Sequence, residues 1–275
     1  MKKRVATLIL NRNLPKPTDN LFDHLKKFDG DLTDIFVIES GSDSNNLSDN
    51  CTWYADWEDA MLNGLRYARG MNYGLSQLWK ENKFKKYDAF FLLSNDTELP
   101  NAPSLKLLLE IFDNHPRLGI LSPCSHNWGE RLLLKESGIK YFWFIHNTAY
   151  LLRREFIETI FKSDEANYMH FLFDGTNFRG YGIEHELIVK AYINNWAAAI
   201  TEKVITFENE SYLIKKSDLI KTEPYELNES LYVSEGKKWM FKKYGFRSHW
   251  SMQIYIKSFY DLFFKVNPEF KKYRL

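Results

Sequence analysis

The sequence predicts an α/β fold, with a mostly parallel central sheet flanked by helices and a helical C-terminal appendage. Three observations carry that expectation. Short apolar runs of strand length alternate with segments of helical periodicity, the β-α-β-α-β order that builds parallel sheets. The runs are apolar almost throughout, "AFFLL" being the clearest, as strands covered on both faces are. From about Ser211 the pattern changes to Lys- and aromatic-rich segments of helical character.

The elements follow in order. "RVATLIL" is a first strand. "TDNLFDHLKKF" is a helix with Thr18 as its N-cap and Leu21, Leu25 and Phe28 at helical spacing. "DIFVIES" is a second strand, followed by the polar loop "GSDSNNLSDN". Helical patterns run over 57–83. "AFFLLSND" is a third strand, "SLKLLLEIFDNHP" a helix stopped near Pro116, and "GILSPCS" a fourth strand. "IHNTAYLLRREFIETIF" reads as a strand leading into a helix, "IEHELIVKAYINN" as a helix and "AAAITEKVITFEN" as a strand region. The expected division is 1–215 for the sheet domain and 216–275 for the appendage. There are no internal repeats.

Composition narrows the class. With 275 residues, 44% hydrophobic and 16% aromatic, the chain can bury a large core and is not disordered in character. The start "MKKRVATLILNRN" has an apolar run too short for a signal-peptide core, without a small-residue cleavage site. No apolar segment is long enough to span a bilayer. Cys51 and Cys124 show no CxxC spacing, and a reduced cytoplasmic protein is the default expectation. The net charge of +1 hides an asymmetry. Residues 236–275 hold ten Lys or Arg against two Asp or Glu, so that segment carries +8 and the remainder −7. Two readings stay open: a partner surface that is anionic, such as a membrane, or an ordinary solvated helix pair.

Polar stretches follow three successive strands: "NRN" at Asn11 to Asn13, "ESGSD" at Glu39 to Asp43, and "SNDTE" around Asp96. In an open α/β sheet such ends face one crevice, where ligands bind. A fourth stretch, "FRGYGIEHEL", places Gly180 and Gly182 around Tyr181 and sets Glu184 and Glu186 in a first helical turn. An i,i+2 pair does not share a helix face, so one carboxylate can enter a cleft while the other pairs elsewhere. Acidic residues at a helix start also simply complement the macrodipole.

Taken in order, these motifs resemble the family 2 inverting glycosyltransferases of the GT-A fold, especially bacterial rhamnosyltransferase-like members. "VIESGSD" is similar to their loop after strand two. "RGMNYGL" is similar to a helical segment of the family, matched at Asn72 and Gly74. "LLSNDTEL" resembles their version of the DxD motif, "GYGIEHEL" the segment that carries the catalytic base, and "WMFKKYG" a segment near their ends. The resemblance covers roughly residues 4–245.

The resemblance implies transfer of a sugar from a nucleoside-diphosphate sugar, a UDP- or dTDP-sugar, to a hydroxyl of a glycan or glycolipid, as in polysaccharide building. It implies Asp96 as the ligand of a Mg²⁺ or Mn²⁺ ion that neutralises charge on the diphosphate. Ser94 stands where the first acid of the motif would be. Asn11, Glu39, Ser42, Asp43, Arg69, Asn72, Asn95 and Asp96 are the implied nucleotide-sugar contacts. Glu184 is the implied base that takes the acceptor's proton, with Glu186 and His185 as secondary candidates. The motif sets His185 on the opposite side from Glu184. Many members carry a His after the last core strand; here "VITFENESYL" has none, and Glu208 or Glu210 are the candidate replacements. His126, His146 and His170 are read as structural or surface residues, with His146 nearest the expected acceptor side. Trp128 and Trp143 are candidate sugar-stacking or core residues.

Two rival readings are a nucleotidyltransferase and a non-catalytic glycan- or membrane-binding protein. The first usually needs a Gly-rich loop after strand one, which "ILNRNLPKP" lacks. The absent His and the Ser at 94 are the features that favour the second. Without a P-loop, zinc spacing or basic recognition helix, no nucleic-acid partner is expected. A cytoplasmic location, peripheral at the inner face of the membrane, follows from these readings taken together.

Overall fold

A computed structural model of the chain describes residues 4–134, 138–146, 149–162, 164, 166–209 and 211–275. Among the described residues nine strands form one curled sheet: β1 (Val5–Asn11), β2 (Thr33–Glu39), β3 (Cys51–Tyr54), β4 (Ala89–Ser94), β5 (Thr97–Glu98), β6 (Leu118–Ser125), β7 (Ile139–Tyr141), β8 (Ala149–Arg153) and β9 (Ala197–Glu208). Their spatial order is β3-β2-β1-β4-β8-β6-β9-β5, with β7 also on β9. The helices are α1 (Pro15–Asp29), α2 (Glu58–Asn63), α3 (Arg66–Lys80), α4 (Leu105–Asn114), α5 (Arg131–Leu134), α6 (Arg154–Ile160), α7 (Ile183–Ile193), α8 (Ser211–Lys215), α9 (Tyr225–Tyr244) and α10 (His249–Val266).

The parallel group β3-β2-β1-β4 places three strand ends at one edge. Asn11 lies opposite Glu39, and Leu10 opposite Ser94. Strand β8 then runs antiparallel between β4 and β6, so the sheet is mixed and not uniformly parallel. Periodicity shows that a strand exists but not which way its neighbours run. Strands β3, β5 and β7 were not expected; they are short, and β3 is half exposed, so none makes an apolar run. The helical region 57–83 is two helices broken at Gly64, whose φ is +71°. Thr18 is not an N-cap: α1 begins at Pro15, and the Thr18 hydroxyl donates back to the Leu14 carbonyl at 2.9 Å.

Helix α3 lies close on the sheet. A Cβ added at Gly74 would come within 2.3 Å of Leu8 and 2.4 Å of Ile38, so the glycine permits the approach. The helical C-terminal region is present and joins the main core. Met252, Ile256, Tyr260, Phe263 and Phe264 of α10 are buried in the same cluster as β1, β4 and α7. Each such side chain contributes about 1.5–3 kcal/mol when taken out of water. The Tyr260 hydroxyl donates to the Tyr141 carbonyl at 3.1 Å, tying α10 to β7.

Candidate active site

The strand ends are locked by a buried polar relay. The Asn11 carboxamide nitrogen donates to both oxygens of Glu39, and its oxygen accepts from Asn95 Nδ2 at 2.8 Å and from the Leu14 backbone N–H at 3.2 Å. Glu39 also accepts from Ser42 Oγ at 2.6 Å and from the Ser48 backbone N–H at 2.8 Å. Asn11, Glu39 and Ser42 have no exposed surface. A charge this deep must be hydrogen-bonded on all sides, and it is. The Glu39 carboxylate, expected at the nucleoside, fastens the loop after β2, and Ser42 serves the same loop.

Above this relay opens a crevice of about 240 Å³, lined by Asn11, Arg12, Arg66, Tyr67, Ser94, Asn95, Asp96 and Lys221 among others. A second hollow of about 300 Å³ adjoins it, sharing Asn95, Asp96 and Tyr212. Asp96 thus stands at the junction, half-buried, with the Ser94 hydroxyl hydrogen-bonded to its Oδ1. Asn95 has its amide turned inward to Asn11 and Thr18.

One wall of the crevice is the run 219–223, which sequence reading gave no role. The Leu219 carbonyl accepts from Asn13 Nδ2 at 2.7 Å and the Ile220 carbonyl from Arg12 Nε at 2.8 Å. Lys221 pairs with Asp43, Thr222 with Arg66, and Glu223 with both Arg66 and Arg179. Arg12 also donates to the carbonyls of Ser40 and Ala60 at 3.2 and 3.3 Å and of Leu62 at 3.1 Å. Burial and the nearby Arg66 charge lower its pKa to about 10. These partners lie up to 208 residues apart, beyond the reach of motif reading. Asp43, an expected nucleotide contact, is held at this wall by Lys221 and by Asn13, whose Oδ1 accepts the Asp43 backbone N–H at 2.6 Å.

Two other expected contacts lie elsewhere. Asn72 is fully buried: its Nδ2 donates to the carbonyls of Tyr168 and Phe173 at 3.2 and 2.8 Å, while its Oδ1 accepts from Leu172 N and Phe173 N at 2.9 Å each. It staples the 168–173 turn and does not reach the crevice. Arg69 donates to the Gly175 carbonyl at 2.8 Å and stacks over Phe178 at 4.7 Å. It borders a surface hollow that adjoins the crevice through Asn63, Arg66 and Lys221, on the side away from Asp96.

The expected base and its neighbours sit at the start of α7. Gly180 and Gly182 have φ of +86° and +85°, a left-handed turn that delivers the chain into the helix. Glu184 Oε1 is 2.8 Å from His185 Nδ1, whereas its Oε2 is enclosed without a hydrogen-bond partner. Burial pushes the Glu184 pKa up, but the adjoining imidazoles of His185 and His146 outweigh that, and the carboxyl sits below its ordinary value; His185 Nδ1 stands at ion-pair distance and is itself enclosed without a hydrogen-bond partner. Tyr150, Tyr181 and Tyr232 surround it, each with a pKa raised by burial first and by Glu184 second. Glu184 is not among the residues lining the two hollows; Tyr67, which lines the crevice, neighbours Tyr150, which in turn neighbours Glu184.

His185 is corrected in position: it packs beside Glu184, not on the opposite side, and its Nε2 is 3.1 Å from His249 Nε2 on α10. Glu186 points away, as its spacing required. It accepts from Tyr244 Oη at 2.7 Å and pairs with Lys243 at 2.6 Å, and Lys243 also pairs with Asp174. So "GYGIEHEL" and "WMFKKYG" meet at Glu186, which joins α7 to α9.

Among the described residues no group of three or more His, Cys, Asp or Glu is arranged to hold a metal ion. Glu208 does not complete a site with Asp96: its Oε2 accepts from Trp128 Nε1 at 2.9 Å. Glu210 lies outside the described residues. The donor set at Asp96 fits a hard cation that arrives with phosphate oxygens and keeps its waters, which needs only one or two carboxylates. His126 stacks on Phe207, His170 bridges to Asp174, and Trp143 packs on Tyr260. Trp128 stacks on His146 at 4.0 Å and is 40% exposed, leaving indole surface open near Glu184's neighbour His146.

No protein-family profile matches the sequence, and no curated protein sequence does. Solved structures match the fold. S. aureus TarS 1-349, in complex with UDP-GlcNAc, superposes with a TM-score of 0.52 at 11% identity, over 87% of this chain and 73% of that one. GalNAc-T7, with UDP, GalNAc and Mn²⁺, gives 0.54 at 10% identity, over 88% of this chain and 56% of that one. The chain has the GT-A fold of glycosyltransferases.

Proposed function

We propose that this protein is an inverting glycosyltransferase that moves a sugar from a nucleoside-diphosphate sugar, a UDP- or dTDP-sugar, to a hydroxyl of a glycan or glycolipid. The observation that carries the reading is the position of Asp96: it stands at the junction of two hollows above the ends of β1 and β4, on a GT-A fold. The relay of Asn11, Glu39 and Asn95 makes the floor rigid, while the wall carries Arg12, Arg66 and Lys221, of which Arg66 and Lys221 are paired with Glu223 and Asp43 and would have to share their charge with an anionic donor. Asp96 would hold Mg²⁺ or Mn²⁺, which supplies Lewis-acid neutralisation of the leaving diphosphate. Glu184 is the residue that would take the acceptor hydroxyl's proton: its Oε2 is enclosed but engaged by no hydrogen bond, so a lone pair stays unused. The exposed indole of Trp128 offers a stacking face for the acceptor.

A panel of UDP- and dTDP-sugars tested for thermal stabilisation, with and without Mn²⁺, decides the donor half of this reading. A ligand that binds only the folded state raises Tm by mass action. The expected result is stabilisation by a donor that increases with Mn²⁺ and loses that increment in Asp96→Asn. No stabilisation by any nucleotide sugar overturns it.

The same reading places the protein at an anionic membrane, where a glycolipid acceptor would lie. Helix α10 exposes Trp250, Ile254, Leu262 and Val266, spread over about half of its circumference, together with Lys265 and with Lys257, which pairs with Asp261. Arg247 precedes it and Lys271 and Lys272 follow, all exposed. Apolar wedges flanked by cations suit the headgroup boundary of a bilayer. Among the described residues no helix is long and apolar enough to cross a membrane.

A further inference from the structure

We propose that Glu208 is a positioning residue: it fixes the Trp128 indole as a binding plate, and the ligand this plate selects is a neutral pyranose that presents an apolar C–H face. The inference rests on the reading of the protein as a transferase with a glycan acceptor, and it gives Glu208, expected at the metal, a different duty. The Trp128 Nε1–H donates to Glu208 Oε2 at 2.9 Å, and the indole lies on the His146 imidazole with centroids 4.0 Å apart and planes 13° from parallel. Glu208 is fastened in turn. Its backbone N–H donates to Asn127 Oδ1 and its carbonyl accepts from Asn127 Nδ2, both at 3.1 Å. The backbone N–H of the next residue, Asn209, donates to the Asp96 carbonyl at 3.0 Å.

These contacts set the orientation of an exposed ring. A tryptophan on a surface loop turns about two side-chain bonds, and ordering it only when a ligand arrives costs affinity. Here two contacts hold it beforehand. The His146 ring covers one face, and burial lowers the His146 pKa, so at neutral pH it stacks as an uncharged aromatic. An indole N–H only donates and a carboxylate only accepts, so the bond to Glu208 fixes where the N–H edge points. Trp128 is still 40% exposed, and with one face covered that exposure falls on the other face and the rim.

The surroundings of the plate select its ligand. Its face is apolar, and a carboxylate stands at its edge, with Glu130 close enough to Glu208 to act on it electrostatically. A phosphate or other anion would meet both acids. An alkyl chain laid across the plate would strip water from the Glu208 carboxylate and give it no hydrogen bond. A pyranose satisfies both parts: its axial C–H groups rest on the indole, and its ring hydroxyls donate at the edge. The position agrees with an acceptor site. The plate is tied to Asp96 through Asn209 on one side, and on the other its partner His146 neighbours Glu184.

Fluorine NMR of the full chain labelled with 5-fluorotryptophan reads the plate without any turnover. The chain has eight tryptophans, and Trp128→Phe identifies the Trp128 resonance. The probes are the methyl β-glycosides of glucose, galactose and N-acetylglucosamine, with glycerol and methyl phosphate as controls. At least one glycoside is expected to move the Trp128 resonance saturably, while both controls leave it in place. Glu208→Ala is expected to weaken that binding about tenfold, the scale of one hydrogen bond to a charged group. Glu208→Gln, whose amide oxygen still accepts from the indole, is expected to recover most of the loss. A Trp128 resonance that no glycoside moves overturns the proposal, as does an equal response to glycerol or wild-type affinity in Glu208→Ala. A loss in Glu208→Ala that Glu208→Gln does not recover overturns the role given to the hydrogen bond. Glycoside binding at Trp128 without stabilisation by any nucleotide sugar keeps the plate and removes the transferase, leaving a glycan-binding protein. Stabilisation by a nucleotide sugar without a glycoside response removes the plate and keeps the donor half of the reading.

Discussion

Asn11 donates from one nitrogen to both carboxylate oxygens of Glu39, at 3.0 and 2.9 Å, with both residues fully buried. Its further partners, the Ser42 hydroxyl and the Ser48 backbone N–H, are also donors. Glu39→Gln keeps the shape but sets an NH₂ against groups that only donate or already donate. The expected cost is about 1–3 kcal/mol, the range for a buried group left unsatisfied. Urea unfolding measures it, and a change below a few tenths would show that the relay is not fastened as described.

Glu184 and Glu186 should separate cleanly. Glu184→Gln is expected to keep donor affinity and lose transfer by roughly 10²-fold or more, as loss of a general base does. Glu186→Gln weakens the link to Lys243 and Tyr244, so it should lower stability by on the order of 1–3 kcal/mol and leave most of kcat. Single-turnover transfer beside urea unfolding reads both; the opposite assignment of effects would exchange their roles.

Acid should loosen the fold through His115. This ring is buried, with Nδ1 at 2.9 Å from the Tyr141 hydroxyl, and burial, then Lys272 and Lys203, lower its pKa to about 4. Below an unfolded value of about 6.5 the unfolded chain takes a proton that the folded chain refuses. Stability is therefore full above about 6.5 and declines as pH falls toward 4, by about 2 kcal/mol at pH 5. His146 and His249 shift in the same direction, so the test is a difference. His115→Asn should lose less stability than wild type between pH 7.5 and 5, and equal slopes would exclude this residue.

Vesicle binding should depend on α10. Full-length protein is expected to co-sediment with vesicles containing anionic lipid, less so at high salt, since each basic residue near the surface contributes about 1 kcal/mol at best. Trp250→Glu with Ile254→Glu should abolish co-sedimentation without lowering Tm, because both side chains are exposed at 74% and 63%. Equal binding to neutral vesicles, or none to either kind, would remove the membrane from the proposal.

The sheet was largely legible because its central strands have no exposed face: "VATLIL", "FVIE" and "AFFLL" can only be interior. The polar ends of those strands do lie together at one sheet edge, and their hydrogen-bond partners are what the sequence does not display. Glu39 and Asn72 look like ligand contacts when only residue type and spacing are seen, yet each is consumed by backbone and side-chain donors or acceptors that a linear motif does not display. Asp96, after β4, lines the crevice, and Glu184, in the first turn of α7, keeps one enclosed oxygen without a hydrogen bond. Arg12, the 219–223 wall and His249 were invisible because each is defined by a partner far along the chain.

Packing of α10 onto α7 also has a meaning in time. Ribosomal synthesis delivers the chain from its N-terminus, so all nine strands and α7 emerge well before α10. Until then Tyr192 of α7 and Tyr141 of β7 lack the Tyr260, Phe263 and Phe264 rings that cover them. A nascent chain at that stage carries a completed sheet with an uncovered aromatic flank, the kind of surface that chaperones hold and that drives aggregation. Interrupted translation upstream of α10 would thus leave insoluble material, and His185 of α7 would meet His249 only as that helix docks.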